Sequence, residues 1–184
     1  MTTKRLSLMA LFAALTAMGA FIKLPLWPVS ITLQTFFVIL SGLVLGASAG
    51  SMSQAIYIIV GLIGLPVFSG GGGPSYLMKP SMGYLVGFLL APVAVGAYVR
   101  HRALTAGNVF IASLLGSFAI YAAGVPYLAG YLRMVLDKPD AVGIAVKTGL
   151  LLFLPGDLLK CMVLAVVVPR LKLEGIRDQV PPPR

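Results

Sequence analysis

Long stretches without a charged side chain are the feature of this sequence that most restricts its fold. Only 14 Lys and Arg and 5 Asp and Glu occur among 184 residues. They make up 10% of the chain, against roughly 25% in an ordinary soluble domain. So few charges cannot cover a water-facing surface, and the mean hydropathy of +0.99 is typical of a protein whose outer face contacts lipid. The sequence therefore predicts an integral membrane protein.

The uncharged runs predict six membrane-spanning helices, because about 20 apolar residues suffice to cross a hydrocarbon core of roughly 30 Å. Three runs are long enough for one helix each: residues 6–22, 80–99 and 103–132. The run of residues 24–78 begins and ends with proline- and glycine-rich loops, and its centre predicts two short helices joined by a tight turn at residues 45–50. Residues 141–169 provide the last helix. Because the runs are continuous rather than alternating, they favour an all-α protein over a β-barrel.

The distribution of basic residues predicts the orientation of these helices. With the N-terminus in the cytoplasm, eight Lys and Arg lie on the cytoplasmic side and five on the outer side, as the positive-inside rule requires. We therefore expect both termini in the cytoplasm, a single transmembrane domain over residues 1–184 and a short polar tail at residues 174–184. A cleaved signal peptide at the N-terminus is the alternative. It ranks second because its removal would leave five helices and an external basic tail.

The remaining composition argues against several classes of function. The basic residues occur singly or in pairs, without a stripe that could follow phosphates, so we expect no nucleic-acid partner. The single cysteine, Cys161, cannot form an internal disulfide, and the single histidine, His101, makes no metal site, so we expect no metal and no cofactor. Asp157 is the only acid in a predicted span, whereas an aspartyl protease needs two. We therefore expect no catalytic residue and no enzyme activity.

Two charged residues in the last predicted helix are the strongest candidates for a functional site. Asp157 and Lys160 lie three residues apart, on one face of a helix. Charges inside a membrane are costly, which makes them functional candidates by default. Pro155 and Gly156 precede them and are expected to loosen the helix. The alternative is an ion pair that only joins two helices.

The glycine-rich run at residues 70–73 lies in a predicted outer loop. It lacks the Gly-Lys-Ser/Thr that a nucleotide-binding loop requires, so nucleotide binding is not expected. Its glycines would allow the loop to fold closely over a ligand, and Lys79 would be available to a ligand carboxylate. A plain flexible linker is equally compatible with the glycines.

The first predicted outer loop carries the single tryptophan, Trp27, followed by Thr32, Gln34 and Thr35 at the start of the second helix. An indole can stack on a flat ring while an amide or a hydroxyl forms a hydrogen bond to the edge of that ring. For Trp27 alone, a position in the aromatic belt at the membrane interface is the preferred interpretation.

Small residues recur at a spacing of four along the first predicted helix. Ala10 pairs in this way with Ala14, and Ala13 pairs with Ala17. Such spacing allows close contact with a second helix. That helix can belong to the same bundle or to another subunit, and the sequence does not choose between them.

Five motifs, in order along the chain, resemble those of the BioY family. They are PVSITLQTF at residues 28–36, GLVLGASAGSMS at 42–53, GLIGLPVFSGGGG at 61–73, MGYLVGF at 82–88 and PGDLLK at 155–160. Members of this family are the biotin-specific S components of energy-coupling factor (ECF) transporters. The resemblance covers residues 5–173, and the ordered combination is far more specific than any single motif.

The resemblance implies a multi-pass protein of six helices in the cytoplasmic (inner) membrane of a prokaryote, which captures biotin from the outer side. It implies a transmembrane coupling subunit and two cytoplasmic ATPases as partners, with membrane lipid around the chain. It also implies that the small-residue face of the first helix docks the coupling subunit; this face comprises Ala10, Ala13, Ala14 and Ala17. A stand-alone oligomeric facilitator or secondary transporter without ATPases is the alternative.

Among the family's binding residues, Asp157 and Lys160 match most securely, and the loop at residues 70–73 would cap the site. We expect Asp157 to accept from the ureido N–H groups of biotin, and Lys160 to balance its charge and reach a ligand oxygen. Lys79, which departs from the family pattern, or a backbone amide of the loop would hold the carboxylate. The other candidate residues for substrate binding are Thr32, Gln34, Trp27, Phe68, Gly72, Gly73 and Tyr84, with Phe36 as a further candidate for an apolar wall.

Overall fold

The computed structural model describes residues 3–171 as a bundle of helices with one short two-stranded ribbon. In chain order the helices and strands are α1 (Thr3–Phe21), β1 (Lys23–Leu24), β2 (Ile31–Thr32), α2 (Gln34–Leu62), α3 (Met82–Val99), α4 (Ala106–Met134), α5 (Ala141–Val146) and α6 (Leu154–Val167). Short 3-10 turns occupy Pro74–Met78 and Val168–Arg170, and a π-helical turn occupies Lys147–Leu151. The polar tail expected at residues 174–184 lies outside the described residues.

Five helical stretches of the described chain are long and apolar enough to cross a membrane. They are α1, α2, α3, α4 and the stretch Ala141–Arg170, which contains α5 and α6. Many large apolar side chains on these helices are exposed, as contact with lipid requires. The prediction of an all-helical membrane protein is therefore confirmed. The sequence predicted six helices rather than five because it divided the segment that forms α2.

Helix α2 folds back on itself at Gly46. This glycine has φ 76° and ψ −177°, a backbone conformation that glycine adopts far more readily than other residues. Gln34 Nε2 donates a hydrogen bond of 2.6 Å to the hydroxyl of Tyr57, although a straight helix would place these residues about 35 Å apart. Gln54 Nε2 likewise donates to Ser41 Oγ at 3.4 Å. The two halves of α2 therefore run antiparallel, and the tight turn expected from the sequence lies at Gly46.

Close backbone contact between α2 and α3 depends on Gly96. A Cβ atom added at Gly96 would lie 2.1 Å from the backbone nitrogen of Ala47, which is too short for non-bonded atoms. On the opposite side of α3, a Cβ added at Gly87 would lie 2.6 Å from the Cα of Ile120 in α4. These two contacts hold α3 tightly between α2 and α4.

Replacing Gly96 with Ala is expected to destabilise the protein by about 2 kcal/mol, because α2 and α3 must separate to admit the methyl group. Thermal unfolding of the purified protein in detergent measures the change. Gly107→Ala is the matched control, since Gly107 lies at the exposed start of α4 with nothing near an added Cβ; it is expected to be neutral or slightly stabilising. Equal melting temperatures for Gly96→Ala and the wild type would contradict the close contact.

Two clusters of buried side chains occupy the two ends of the bundle. The ribbon end, defined by β1, β2 and the loop of residues 63–81, contains a cluster rich in aromatic residues, among them Tyr57, Phe68, Tyr76, Tyr84 and Phe88. The opposite end contains a mostly aliphatic cluster, with Ile39, Leu43, Val95, Val109 and Leu164. Aromatic side chains with polar tips can both pack and form hydrogen bonds, so the ribbon end is the part of the core suited to a polar site.

Candidate ligand-binding site

A cavity opens among α2, α3, α4 and α6 at the ribbon end of the bundle. The space within the cavity and in front of its mouth measures about 490 Å³, open solvent included. Its apolar wall comes from Val29, Leu85, Phe88, Ile120 and Phe153. A few polar side chains interrupt this wall, which is the usual composition of a small-molecule site.

Asp157 and Lys160 of α6 lie side by side in the wall of this cavity. Pro155 stands at the start of α6, where its missing N–H breaks no helical hydrogen bond. Asp157 follows in the same turn, near the positive end of the helix dipole. Lys160 Nζ lies 2.7 Å from Asp157 Oδ1, and the two side chains are only 13% and 7% exposed. The opposite charges are thus buried together as an ion pair.

The ammonium group of Lys160 uses all three of its hydrogens within the chain. It donates to Asp157 Oδ1 at 2.7 Å, to Thr35 Oγ1 at 2.9 Å and to the backbone oxygen of Thr32 at 2.7 Å. An ammonium group has three donors and no acceptor. Lys160 therefore balances the charge of Asp157 and joins α6 to the start of α2. In this arrangement it has no hydrogen left for the ligand oxygen expected from the sequence.

The carboxylate of Asp157 keeps one acceptor position free. Thr35 Oγ1 donates to Oδ1 at 3.1 Å alongside Lys160, and the hydroxyl of Tyr121 donates to Oδ2. A carboxylate offers about four acceptor positions, so the contacts of the described chain fill three and leave one on Oδ2. Because Asp157 and Tyr121 both line the cavity, a ligand that donates a hydrogen bond can take the fourth.

The ion pair carries no net charge, which limits the cost of burying it. Removing one ion from water costs several kcal/mol, and the opposite charge offsets this cost only when further hydrogen bonds satisfy both groups. Thr35 and Tyr121 supply those hydrogen bonds. Among residues 3–171, no group of three or more His, Cys, Asp and Glu is placed to hold a metal ion. The polar side chains in the cavity wall include Thr35, Tyr121, Asp157 and Lys160, which form hydrogen bonds with one another.

A second series of hydrogen bonds fixes Gln34 at the cavity wall. Thr32 Oγ1 donates to Gln34 Oε1 at 2.9 Å, and Gln34 Nε2 donates to the hydroxyl of Tyr57 at 2.6 Å. The Tyr57 hydroxyl in turn donates to the backbone oxygen of Val67 at 3.2 Å. Gln34 thus ties the ribbon to both halves of α2 and to the loop that follows.

Tyr84 and Phe153 form an aromatic part of the wall. Their ring centroids are 6.3 Å apart and their planes are inclined by 15°. The Tyr84 hydroxyl donates to the backbone oxygen of Gly149 at 2.8 Å. Gly149 belongs to the π-helical turn Lys147–Leu151, and such turns occur frequently at functional sites. Both residues line the cavity, so they provide aromatic side chains that a ligand ring can contact.

The loop of residues 63–81 forms the rim of the cavity, and two lysines hold its tip. Lys79 Nζ donates to the backbone oxygen of Gly70 at 2.6 Å and lies 5.0 Å from the ring centroid of Tyr76. Lys23 of β1 donates to the adjacent backbone oxygen, that of Ser69. Ser69 and Tyr76 line the cavity. The rim is therefore positively charged, whereas the wall at Asp157 is neutral.

Comparisons with known proteins identify the family. Residues 1–175 match the family model described as BioY family. The chain belongs to the BioY family. It is 38% identical over 174 residues to "Probable biotin transporter BioY" of Pyrococcus horikoshii; the alignment covers 94% of this chain and 98% of the relative. It is 45% identical over 141 residues to the protein of the same description from Lysinibacillus sphaericus, which covers 76% of this chain and 72% of the relative.

A solved structure shares the fold of this BioY-family chain. It is the crystal structure of the S-component for biotin from an ECF-type ABC transporter, with a TM-score of 0.77 and 27% sequence identity. The match covers 92% of this chain and 93% of that one. The arrangement of helices described above is therefore that of a known membrane S-component.

Several of the substrate-binding residues predicted from the sequence meet in the cavity of this BioY-family chain. Those that line it are Thr32, Gln34, Tyr84, Asp157 and Lys160. They come from the ribbon and from α2, α3 and α6. Thr32 and Lys160 are in direct contact although 128 residues separate them in the sequence.

The other predicted binding residues lie outside the lining of the cavity: Trp27, Phe68, Gly72, Gly73 and Lys79. Trp27 is 63% exposed in the turn of the ribbon, as expected for a residue of the aromatic belt. Phe68 is 2% exposed and packs behind the wall, with ring centroids 5.4 Å from Tyr57 and 4.4 Å from Tyr76. Phe36, the further candidate for an apolar wall, packs against the aliphatic cluster instead.

Gly72 and Gly73 shape the loop rather than line the cavity. A Cβ added at Gly72 would lie 2.1 Å from the backbone oxygen of Leu65. Gly73 N donates to the backbone oxygen of Gly61 at 2.8 Å, and its φ is 98°. These contacts close the loop against the end of α2. The backbone amide of Gly73 is therefore already paired with a carbonyl of the chain itself.

Tyr121, Tyr76 and Ser69 line the cavity but were not selected from the sequence. Tyr121 lies in the middle of α4, 36 residues before its partner Asp157. One sequence signal was available, since Ser113, Ser117 and Tyr121 recur every four residues along α4. A polar stripe on an otherwise apolar membrane helix marks a face turned toward the protein interior.

The four alanines of the small-residue face have different environments in α1. Ala10 and Ala14 are exposed. Ala13 is buried in the chain's own core, and Ala17 packs against that core. Within this face, Ala10 and Ala14 are the pair available to another subunit.

Proposed function

We propose that this chain binds biotin in the cavity and acts as the substrate-capture subunit of an ECF-type biotin transporter. The observation that carries the proposal is the Asp157 carboxylate, which Lys160 neutralises and which keeps one acceptor position in a mostly apolar cavity. Biotin has ureido N–H donors, a thioether ring that favours apolar surroundings, and a carboxylate. The names of the relatives and of the solved S-component support the same ligand. As a member of a family of biotin transporters, the chain is a transporter and not an enzyme.

The polar groups around the cavity give the proposed ligand a direction. The ureido ring would lie at Asp157, and the apolar ring would contact Tyr84 and Phe153. The carboxylate would lie at the rim, where a Cβ added at Gly70 would be 3.5 Å from Lys79 Nζ and 3.7 Å from the Tyr76 hydroxyl. Lys79 Nζ also lies 5.0 Å from the ring centroid of Tyr76, and this position on the rim makes Lys79 our candidate for holding the carboxylate.

Equilibrium binding of labelled biotin to the detergent-purified chain tests the proposal. We expect saturable binding of biotin and none of thiamine or riboflavin at the same concentrations, because neither carries a cyclic urea together with a carboxylate. Biotin methyl ester is expected to bind more weakly, since it lacks the charge that Lys79 would hold. Failure of biotin to bind, or equal binding of thiamine, would overturn the proposed function.

We also propose that the chain crosses the membrane six times, with both termini in the cytoplasm. The chain reverses direction at Gly46, so the halves of α2, residues 34–45 and 47–62, would enter the membrane and return as two short segments. The end of the bundle opposite the ribbon carries the basic residues Lys4, Arg5, Arg100, Arg102 and Arg170. The positive-inside rule assigns such an end to the cytoplasm, so the cavity would open to the outer side.

Cysteine labelling in intact cells checks this orientation. Cys161 is 1% exposed, so its background labelling is expected to be low. Ser75→Cys, in the exposed loop at the ribbon end, is expected to react with a membrane-impermeant maleimide added to intact cells. Arg102→Cys, at the opposite end, is expected to react only after the cells are opened. The reverse pattern would contradict the proposed topology.

We infer that the partners are a transmembrane coupling subunit and two cytoplasmic ATPases, in the cytoplasmic membrane of a prokaryote. The solved S-component that shares this fold comes from an ECF-type ABC transporter, and the exposed pair Ala10 and Ala14 offers a small-residue surface for helix contact.

Ala14→Leu is expected to reduce biotin uptake by cells that express all four subunits at least fivefold, because a larger side chain separates the docked helices. Biotin binding by the purified variant should not change. Ala122→Leu, at an exposed alanine of α4, is the matched control and should leave uptake intact. If cells expressing this chain alone accumulated biotin as fast as cells with all subunits, a self-sufficient facilitator would replace the ECF partnership.

A further inference from the structure

Thr35 and Tyr121 determine which part of the Asp157 carboxylate a ligand can reach. Thr35 and Lys160 both donate to Oδ1, whereas Tyr121 alone donates to Oδ2 among the described residues. The two oxygens of the carboxylate are therefore not equivalent. Oδ1 is filled by the chain, and Oδ2 has one position taken by Tyr121 and one left for a ligand.

Packing fixes the position of the Tyr121 hydroxyl independently of a ligand. The side chain of Tyr121 is 8% exposed and belongs to the aromatic cluster at the ribbon end. One turn earlier in α4, Ser117 Oγ lies 3.8 Å from Cys161 Sγ of α6. Helices α4 and α6 are thus in contact at two successive turns, which holds the hydroxyl against Oδ2.

The shape of a cyclic urea makes this asymmetry significant. Its two N–H groups point away from each other, on either side of the ring, so one acceptor position can receive only one of them. We propose that Tyr121 is a positioning residue that sets specificity: by occupying one position of Oδ2, it restricts Asp157 to a single, defined ureido N–H of biotin. This inference rests on the proposed function and adds that the two ureido nitrogens contribute unequally to binding.

Two biotin analogues test the inference on the wild-type chain. Each is a cyclic carbamate in which one of the two ureido N–H groups is replaced by a ring oxygen of similar size. One analogue is expected to bind at least about 30-fold more weakly than biotin, because its ring oxygen faces the free position of Oδ2 and leaves that acceptor unpaired. The other is expected to bind within about threefold of biotin. Equal weakening of both analogues would overturn the inference.

Two variants assign the effect to Tyr121. Tyr121→Phe frees the second position of Oδ2, so the ratio between the affinities for the two analogues is expected to fall below about threefold. Thr35→Val is the matched control, because it removes a donor from Oδ1 and leaves Oδ2 unchanged. The affinities for biotin and for both analogues are expected to drop together, so the ratio between the two analogues should stay as in the wild type. A ratio that survives in Tyr121→Phe, or one that is lost in Thr35→Val, would overturn the role of Tyr121.

The experiment separates this inference from the proposed function. A wild-type chain that fails to bind biotin would remove the proposed function, whereas the inference is decided by the ratio of the two analogues on a chain that does bind biotin. Size-exclusion chromatography of each variant establishes that it is folded. Should Tyr121→Phe fail this criterion, the analogue ratio of the wild type still decides whether a single N–H is bound.

Discussion

Asp157→Asn is expected to weaken biotin binding by about 100-fold. The change replaces a charged acceptor by a neutral amide, and a hydrogen bond to a charged group is worth about 1.5–3 kcal/mol, which is one to two factors of ten in affinity. It also disturbs Lys160 and Tyr121, which both donate to this carboxylate. Both effects weaken binding at the same end of the cavity, so we expect the loss of affinity to lie in the upper part of that range.

Isothermal titration of the purified variant with biotin measures the loss. Asp137→Asn is the matched control, because Asp137 is exposed after α4 with φ 47°, a conformation that Asn tolerates. Its affinity for biotin should equal that of the wild type. If Asp157→Asn also bound biotin as the wild type does, the ion pair would serve only to join helices, and the proposed site would be wrong.

Lys160→Met is expected to lower the stability of the ligand-free protein by about 3–5 kcal/mol, because it leaves the Asp157 carboxylate buried without its counter-charge. Met has a similar length and no charge, so the change removes the three hydrogen bonds of the ammonium group while filling much of its space. For a chain of this size, the melting temperature should fall by roughly 10 °C. Thermal unfolding in detergent measures the shift, with Lys138→Met, at an exposed lysine, as the control.

The double variant Asp157→Asn with Lys160→Met identifies the cause of that loss. Neutralising both partners removes the unpaired charge, so the double variant is expected to regain most of the stability lost in Lys160→Met. It should still bind biotin poorly, because it lacks the acceptor. A double variant less stable than either single variant would contradict an ion pair whose main cost is the burial of charge.

These results would assign separate tasks to the two charged residues. Asp157 would contact the ligand, whereas Lys160 would supply its counter-charge and hold it in its orientation. This differs from the expectation that both residues reach biotin. The difference arises because the backbone oxygen of Thr32 in β2 and Oγ1 of Thr35 in α2 accept hydrogen bonds from the ammonium group. The spacing of Asp157 and Lys160 along α6 contains no information about the elements that pack against that helix.

The candidate site was predictable from the sequence where a residue is chemically unusual for its place. Asp157 and Lys160 are charges within an apolar stretch, and Thr32 and Gln34 are polar groups at the start of a membrane helix. All four line the cavity. Trp27 and Phe68 were selected as candidate walls of the site, but Trp27 is exposed in the turn of the ribbon and Phe68 is buried behind the wall.

The sequence by itself determined that this chain lies in a membrane, that its spans are helical and that an acid and a base lie three residues apart inside the last span. The physical reason is that an uncharged run favours lipid, and a charge within such a run favours the protein interior, whatever the rest of the chain does. Only the tertiary structure decided that α2 folds back at Gly46 and that Tyr121 meets Asp157. Those contacts depend on how separate helices pack, which local sequence preferences do not specify. Residues distant in the chain therefore decide which acceptor position of Asp157 stays free.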